Sequence, residues 1–328
     1  MKNLLLIILF FTFLIVSFPC RIIAQQQPVD TGYIHSFERN NVIEVFPGLY
    51  TASFKFTRPG EKKNNFRLLA NSSGYAGAYL NYKWLSLNYS FAIPGTYRDR
   101  NVKLKYTSLG FRFGGKQYSL HPFFDAYNGL LIPEEKHRDS FKIFRGIQFT
   151  DAGFDIYFFT NTKKHSFSAA QSFAELQRKN AGAYFFMITP LWQKINWNTP
   201  SRTLISDSTT YVLLSSVPQW ISLIARVGYT YTFTFQQGKW SVAPAFLLGG
   251  GGLKEMNAGN HHLQGISDIQ GWLNAGYNGP QYYFYVNASW DNLNSNLFIK
   301  NMHQKNMDIS MTIGFRFPDL KKKLLGII

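Results

Sequence analysis

Residues 221–235 read Ile221-Ser-Leu-Ile-Ala-Arg-Val-Gly-Tyr-Thr-Tyr-Thr-Phe-Thr-Phe235. Ile221, Leu223, Ala225, Val227, Tyr229, Tyr231, Phe233 and Phe235 alternate with Ser222, Ile224, Arg226, Gly228, Thr230, Thr232 and Thr234. Successive side chains of a strand point to opposite faces, so this segment has one apolar and one largely polar face. Tyr282 to Trp290, Leu85 to Phe91 and Ile309 to Phe317 repeat the pattern. Several such segments run 12 residues or more, against the usual 5 to 6 of globular sheets and about 9 to 11 for a tilted strand crossing a bilayer. Aromatic residues gather at the ends of the apolar faces, as in Tyr229 to Phe235 and at Trp240. A soluble β-sandwich also alternates. Strand length and aromatic girdles together favour a membrane barrel.

Composition agrees. The 328 residues carry 17% aromatic and only 16% charged side chains, and 16% is low against about 25% in soluble domains. A disordered chain is thereby excluded. The single cysteine excludes an internal disulfide scaffold. Lys2 and the apolar run Leu4–Phe18, ended by Pro19, form a segment too short for a transmembrane helix and suited to a signal peptide. Cleavage is expected after Ala24, with lipidation at Cys20 the competing reading. Cleavage removes Lys2, Cys20 and Arg21 and lowers the formal charge from +16 to +14. The expected division is signal peptide 1–24, periplasmic segment 25–40, barrel 41–317 and a basic and apolar tail 318–328, with the cell outer membrane as location.

Short turns fall at 83–84, 114–116, 161–164, 236–239 and 278–280, and long polar connections at 57–64, 94–101, 128–144, 191–218, 253–264 and 293–305. Outer-membrane barrels alternate short periplasmic turns with longer external loops. The expected fold is therefore all-β: a single transmembrane antiparallel up-and-down β-barrel of about 12 strands, with 10 or 14 as alternatives and both termini periplasmic. This count treats 165–190 as one long bulged strand and places a further β-bulge near Thr107.

The chain resembles a family of Bacteroidetes proteins known only as a domain of unknown function. The matching stretches are Asn161-Thr-Lys-Lys-His-Ser-Phe-Ser, Gln177-Arg-Lys-Asn-Ala-Gly, Gly228-Tyr-Thr-Tyr-Thr-Phe, Ala275-Gly-Tyr-Asn-Gly and Ile313-Gly-Phe-Arg-Phe. The similarity runs from about Tyr33 to Phe317, departing at Asn180, where the family pattern suggests Ser. It implies an outer-membrane-type barrel and supplies no catalytic residues.

Candidate chemistry is sparse. His121 and Asp125 share one strand face, as do Asp151 and Asp155. Residues four apart on a strand lie about 13 Å from each other, so a base with its orienting carboxylate needs a cross-strand pair such as His121 with an aspartate of the next strand. The competing reading is a hydrogen-bonded network filling the lumen. Arg178, Lys179 and Arg226 complete that candidate lumen cluster, with Lys103 and Lys105 on a polar face. Such a lining would favour small anionic solutes, whereas Lys62, Lys63, Lys136, His137 and Arg138 could meet lipid phosphates outside. The tail Lys321 to Lys323 is expected near inner-leaflet headgroups. His261-His262 lacks a ligand cluster at metal spacing, and Gly249–Gly252 lacks the Gly-Lys-Ser/Thr of a phosphate loop. The glycines are expected to allow a close backbone approach or kink at a strand end. Neither a cofactor nor a metal is expected, and nucleic acid is an improbable partner for an exported chain. Trp220, Trp272, Tyr283 and Tyr285 on the polar faces point to a constricted lumen.

The expected role is a narrow pore or a structural surface protein in contact with outer-membrane lipids, including lipopolysaccharide. The alternative is a barrel-embedded hydrolase or acyltransferase acting on lipid or lipopolysaccharide. Cross-strand proximity of His121 to Asp151 or Asp155 favours that alternative.

Overall fold

The computed structural model describes residues 29–319, except 39–40, 59–65, 72, 83–84, 100–104, 111–112, 134–140, 199–202, 204, 206 and 258–261. The signal peptide with Cys20 and Ala24, the basic loop residues Lys62, Lys63 and Lys136–Arg138, His261, Lys103, the Lys105 side chain and the tail from Lys321 lie outside the described residues.

The strands, in chain order, are β1 (Ile34–Ser36), β2 (Asn41–Thr57), β3 (Phe66–Leu69), β4 (Ser73–Tyr82), β5 (Leu85–Ala92), β6 (Lys105–Gly110), β7 (Phe113–Gly114), β8 (Tyr118–Pro133) and β9 (Phe141–Phe159). They continue with β10 (Glu175–Gln177), β11 (Ala181–Trp197), β12 (Gln219–Phe235), β13 (Trp240–Glu255), β14 (Gln264–Asn278), β15 (Tyr282–Asn296) and β16 (Asn301–Phe317). Among the described residues two α-helices interrupt them, α1 (Phe167–Ser172) and α2 (Ser208–Ser215), and a 3-10 turn (Gln236–Gly238) joins β12 to β13.

β8, β9 and β11 to β16 pair antiparallel with their neighbours, and β16 returns to β2 through pairs from Asn301↔Thr57 to Phe317↔Asn41. β3 and β4 act as one descending strand beside β2, with a one-residue register change across Ala70–Ser73. In the loop-end half β3 meets β8 at Leu69↔Leu131, which closes a ring of ten strands. In the turn-end half the short strands β5 and β6 run between β4 and β8. The twelve expected spans are thus ten that close the barrel and two short ones. The first and last strands of the barrel begin and end on the short-turn side.

Alternation does what the sequence pattern dictates. Along β12 the even residues Trp220 to Thr232 face inward and are buried or nearly so, while Leu223 is 57% and Tyr229 43% exposed. The outer belt includes Leu49, Ile188, Leu223, Val227, Phe246, Leu248, Val286 and Ile309. At the turn end it finishes in aromatic contacts: Trp240 with Tyr277 and Phe284, and Tyr184 with Tyr229.

Three expectations need correction. Residues 165–190 are not one strand. Ser166 caps α1, its Oγ accepting from Ala169 N at 3.0 Å, and Phe173 then takes the left-handed region at φ 55°. Strand β10 leaves the barrel wall to pair with β1. A side chain offering its own hydrogen bond at the helix start, followed by two alanines, outcompetes a strand here. The bulge near Thr107 is absent: β6 pairs in constant register with β8 from Lys105↔Asn128 to Gly110↔Phe123. The irregularity lies on β8 itself between Asn128 and Leu130, where Gly129 has φ 82°. Finally, the loops are shorter than expected, because β8 continues to Pro133, β11 to Trp197 and β15 to Asn296.

Candidate functional site

The lumen is filled in layers. At the loop end it is apolar: Phe54, Phe56, Leu68, Phe144, Phe149, Ile195 and Trp197 pack with Leu213 and Leu214 of α2, which are 1% and 0% exposed. Asp207 caps α2, accepting from Thr210 N at 3.1 Å, and pairs with the buried Lys300 ammonium at 2.5 Å. Burial alone would raise the Asp207 carboxyl, but hydrogen bonds from Lys300, Thr210 and Thr209 overcome it and hold the group well below the usual carboxylate range.

The middle layer is a polar network. Gln193 donates to Asp151 Oδ1 at 2.8 Å, Gln304 donates to Asp151 Oδ2 at 3.1 Å, and Trp220 Nε1 donates to Gln193 at 2.9 Å. Arg226 is ion-paired to Asp268 and donates to Thr189, whose hydroxyl donates to Asp155 at 2.6 Å. Gly249 lies between Arg226 and Asp268 in register, and a Cβ there would overlap the Arg226 side chain. The glycine run therefore serves close approach, but in mid-strand: it clears the path of a guanidinium.

The turn end is plugged by residues 160–180 and the N-terminal segment. Gln177 organises it, its Nε2 donating to the carbonyls of Lys164, Lys179 and Tyr33 at 2.7, 2.9 and 3.3 Å, its Oε1 accepting from Ser166 N at 2.9 Å. Phe173 stacks on Tyr285 at 4.8 Å. The Arg316 guanidinium lies 3.8 Å from the Phe37 ring centre and 4.1 Å from that of Tyr283, and donates to the Phe173 carbonyl. His165, buried and 3.2 Å from Thr232 Oγ1, has its pKa pushed down to about 4 by burial.

Between this plug and the β4–β6 wall lies a cavity of about 440 Å³. Its lining includes Glu44, Tyr75, Tyr79, His121, Asp155 and Tyr285. Tyr283 and Tyr285 donate to Glu44 at 2.6 and 3.4 Å, and Tyr75 donates to Asp308 at 2.6 Å.

Of the candidate residues, His121 stands opposite Asp155 and Asp125 opposite Asp151 in the β8–β9 register, all four on inward positions. His121 Nε2 lies 2.7 Å from Ser119 Oγ, and its ring packs on Tyr157. Ser119 was not among the sequence candidates, although Ser-x-His on one strand face was legible. Arg226 joins the network as expected. Arg178 and Lys179 do not line the lumen: the chain turns out of β10 at Gln177, leaving both exposed, Arg178 donating to the Thr31 carbonyl and Lys179 lying 5.2 Å over the Tyr33 ring. Trp220, Tyr283 and Tyr285 are buried inside, and Trp272 is packed against the plug. His262 is exposed.

A closed antiparallel barrel with an apolar outer belt and an aromatic girdle is the architecture of outer-membrane β-barrels. The chain belongs to the family described as Domain of unknown function (DUF4421), whose model matches residues 28–317. No curated protein matches the sequence. Solved structures similar in part include the outer membrane protease OmpT from Escherichia coli, at 9% identity and TM-score 0.35 over 86% of this chain and 98% of that one. The beta domain of the Bordetella autotransporter BrkA gives 9%, 0.41, 84% and 100%. The translocator domain of the autotransporter NalP from Neisseria meningitidis gives 11%, 0.36, 84% and 88%.

Proposed function

We propose that this protein is a non-conducting outer-membrane barrel, a structural component of the cell surface rather than a narrow pore. The observation that carries the reading is the filling of the lumen from both ends. Leu213 and Leu214 of α2 sit inside the loop-end core, and α1 with Phe173 occupies the turn end. The short turns and the plug face the periplasm in this reading, the loops with α2 face outward, and the belt meets outer-membrane lipid and lipopolysaccharide. Single-channel recording in planar bilayers tests it. The refolded full chain, checked by heat-modifiable migration, is expected to give no conductance steps, and Leu213→Asp with Leu214→Asp is expected to produce them by unseating α2. Regular steps from the wild type overturn the reading.

One observation favours a second reading, a hydrolase or acyltransferase acting on lipid or lipopolysaccharide. Ser119 and His121 bring a hydroxyl and an imidazole into contact on one wall of the lumen, and Asp155, which accepts from Thr189, stands opposite His121 in register, the residue types a nucleophile, base and orienting group need. Ser119 is 4% exposed and is not among the cavity's lining residues, which puts this reading second. Ester hydrolysis by the wild type, abolished in Ser119→Ala and in His121→Ala, would carry it.

A further inference from the structure

Among the described residues, acidic side chains outnumber basic ones on the inward positions of the barrel. The chain as a whole is +16. The described lumen, however, holds Glu44, Asp125, Asp151, Asp155, Asp268, Asp291 and Asp308 on inward positions, against the guanidiniums of Arg226 and Arg316, while the one buried ammonium described, Lys300, is paired with Asp207 at the loop end.

The cavity beside the plug samples this interior. At about 440 Å³ it falls within the size range of small-molecule sites. Two carboxylates, Glu44 and Asp155, line it, together with the rings of Phe46, Phe123, Tyr79 and Tyr285. Neither lysine nor arginine is among its described lining residues. Glu44 is 5% exposed and held in place by two phenol hydroxyls, so its carboxylate is a fixed feature of the wall. Ring faces attract cations through their quadrupole, and partly desolvated carboxylates attract them more strongly than carboxylates in bulk water do. Arg316 stands behind Glu44, and Arg226 reaches Asp155 through Thr189, but neither guanidinium is among the described lining residues, so the face turned to the cavity is carboxylate and ring.

We infer that this cavity binds a small organic cation, an amine or quaternary ammonium compound, between the Glu44 and Asp155 carboxylates and the aromatic wall. The inference goes beyond the closed-barrel reading and stands whether or not the barrel conducts.

Calorimetric titration of the detergent-solubilised full chain with choline chloride and with putrescine tests it, using myo-inositol as the neutral probe and inorganic phosphate as the anionic one. Saturable binding of choline or putrescine is expected, with neither control binding comparably. Asn88 lines the cavity and is exposed, so Asn88→Lys is expected to fold and to weaken cation binding about tenfold or more by placing a like charge at the cavity. Glu44→Gln should weaken it similarly; if loss of the Tyr283 and Tyr285 contacts prevents folding, Asn88→Lys decides. The inference is overturned if neither cation binds, if Asn88→Lys binds as the wild type does, or if inositol or phosphate binds as tightly as the cations.

Discussion

Replacing Arg226 by Met isolates the strongest electrostatic commitment in the lumen. The Arg226 side chain is 5% exposed and that of Asp268 0%, and their ion pair joins β12 to β14 across β13, where Gly249 leaves the room. Without the guanidinium, Asp268 keeps Gln270 Nε2 at 2.9 Å as a neutral donor, and Thr189 loses the donor to its hydroxyl oxygen. Breaking one side of a buried pair leaves a charge without compensation and costs about 3–5 kcal/mol. Removing both partners together is far milder, because the desolvation penalty disappears with the charges. Arg226→Met should therefore lose about 3–5 kcal/mol, while Arg226→Met with Asp268→Leu should recover most of it. Equilibrium urea unfolding in lipid vesicles, followed by tryptophan fluorescence and heat-modifiable migration, measures the cycle. A single-variant loss below about 1 kcal/mol, or strict additivity in the double variant, refutes the reasoning.

Asp207 is held below its unfolded value, so its contribution to seating α2 is present above the ordinary carboxylate pKa and is lost as pH falls through the depressed one; protease protection of the α2 loop should persist at pH 5 and decline only in stronger acid. Asp207→Asn should reduce that protection at neutral pH. For His165, whose folded pKa is about 4, the unfolded state binds the extra proton, so plug stability is complete above about pH 6.5 and falls as pH drops toward 4. Amide exchange in residues 160–180 should accelerate over that window in the wild type and less so in His165→Gln. Gln177→Leu removes the donor to three carbonyls at about 1–3 kcal/mol for each one left buried and unmet, and should expose 160–180 to limited proteolysis. Gly249→Val should destabilise the barrel by about 1–3 kcal/mol through overlap with Arg226, measured by the same urea transition.

What was legible in the sequence was whatever repeats. Period-two alternation in Ile221–Phe235 and Tyr282–Trp290 fixes both the strands and their inward faces, and the alternation of short and long connections gives the up-and-down order, although ten strands close the barrel where the loop count gave about twelve. What was not legible was whatever depends on register or on local competition. That His121 faces Asp155 follows from a pairing offset no single strand reveals. The departure at 165–180 turns on one serine side chain and one left-handed phenylalanine, which leave the hydrophobic pattern almost unchanged. Arg178 and Lys179 miss the lumen for the same reason: once the segment is not a strand, its parity carries no information about inside and outside.

The pairing of the first barrel strand with the last has a consequence for assembly. β2 cannot find β16 until nearly the whole chain is available, since some 260 residues of sequence separate them. The N-terminal residues that precede β2 also reach across the turn end, where β1 pairs with β10 in the middle of the chain. Sealing the wall and fastening the plug thus draw on the same end of the polypeptide. A circularly permuted chain, its old ends joined and a new opening cut in an exposed loop, would separate the two events. It would show which of them commits the barrel to its final form.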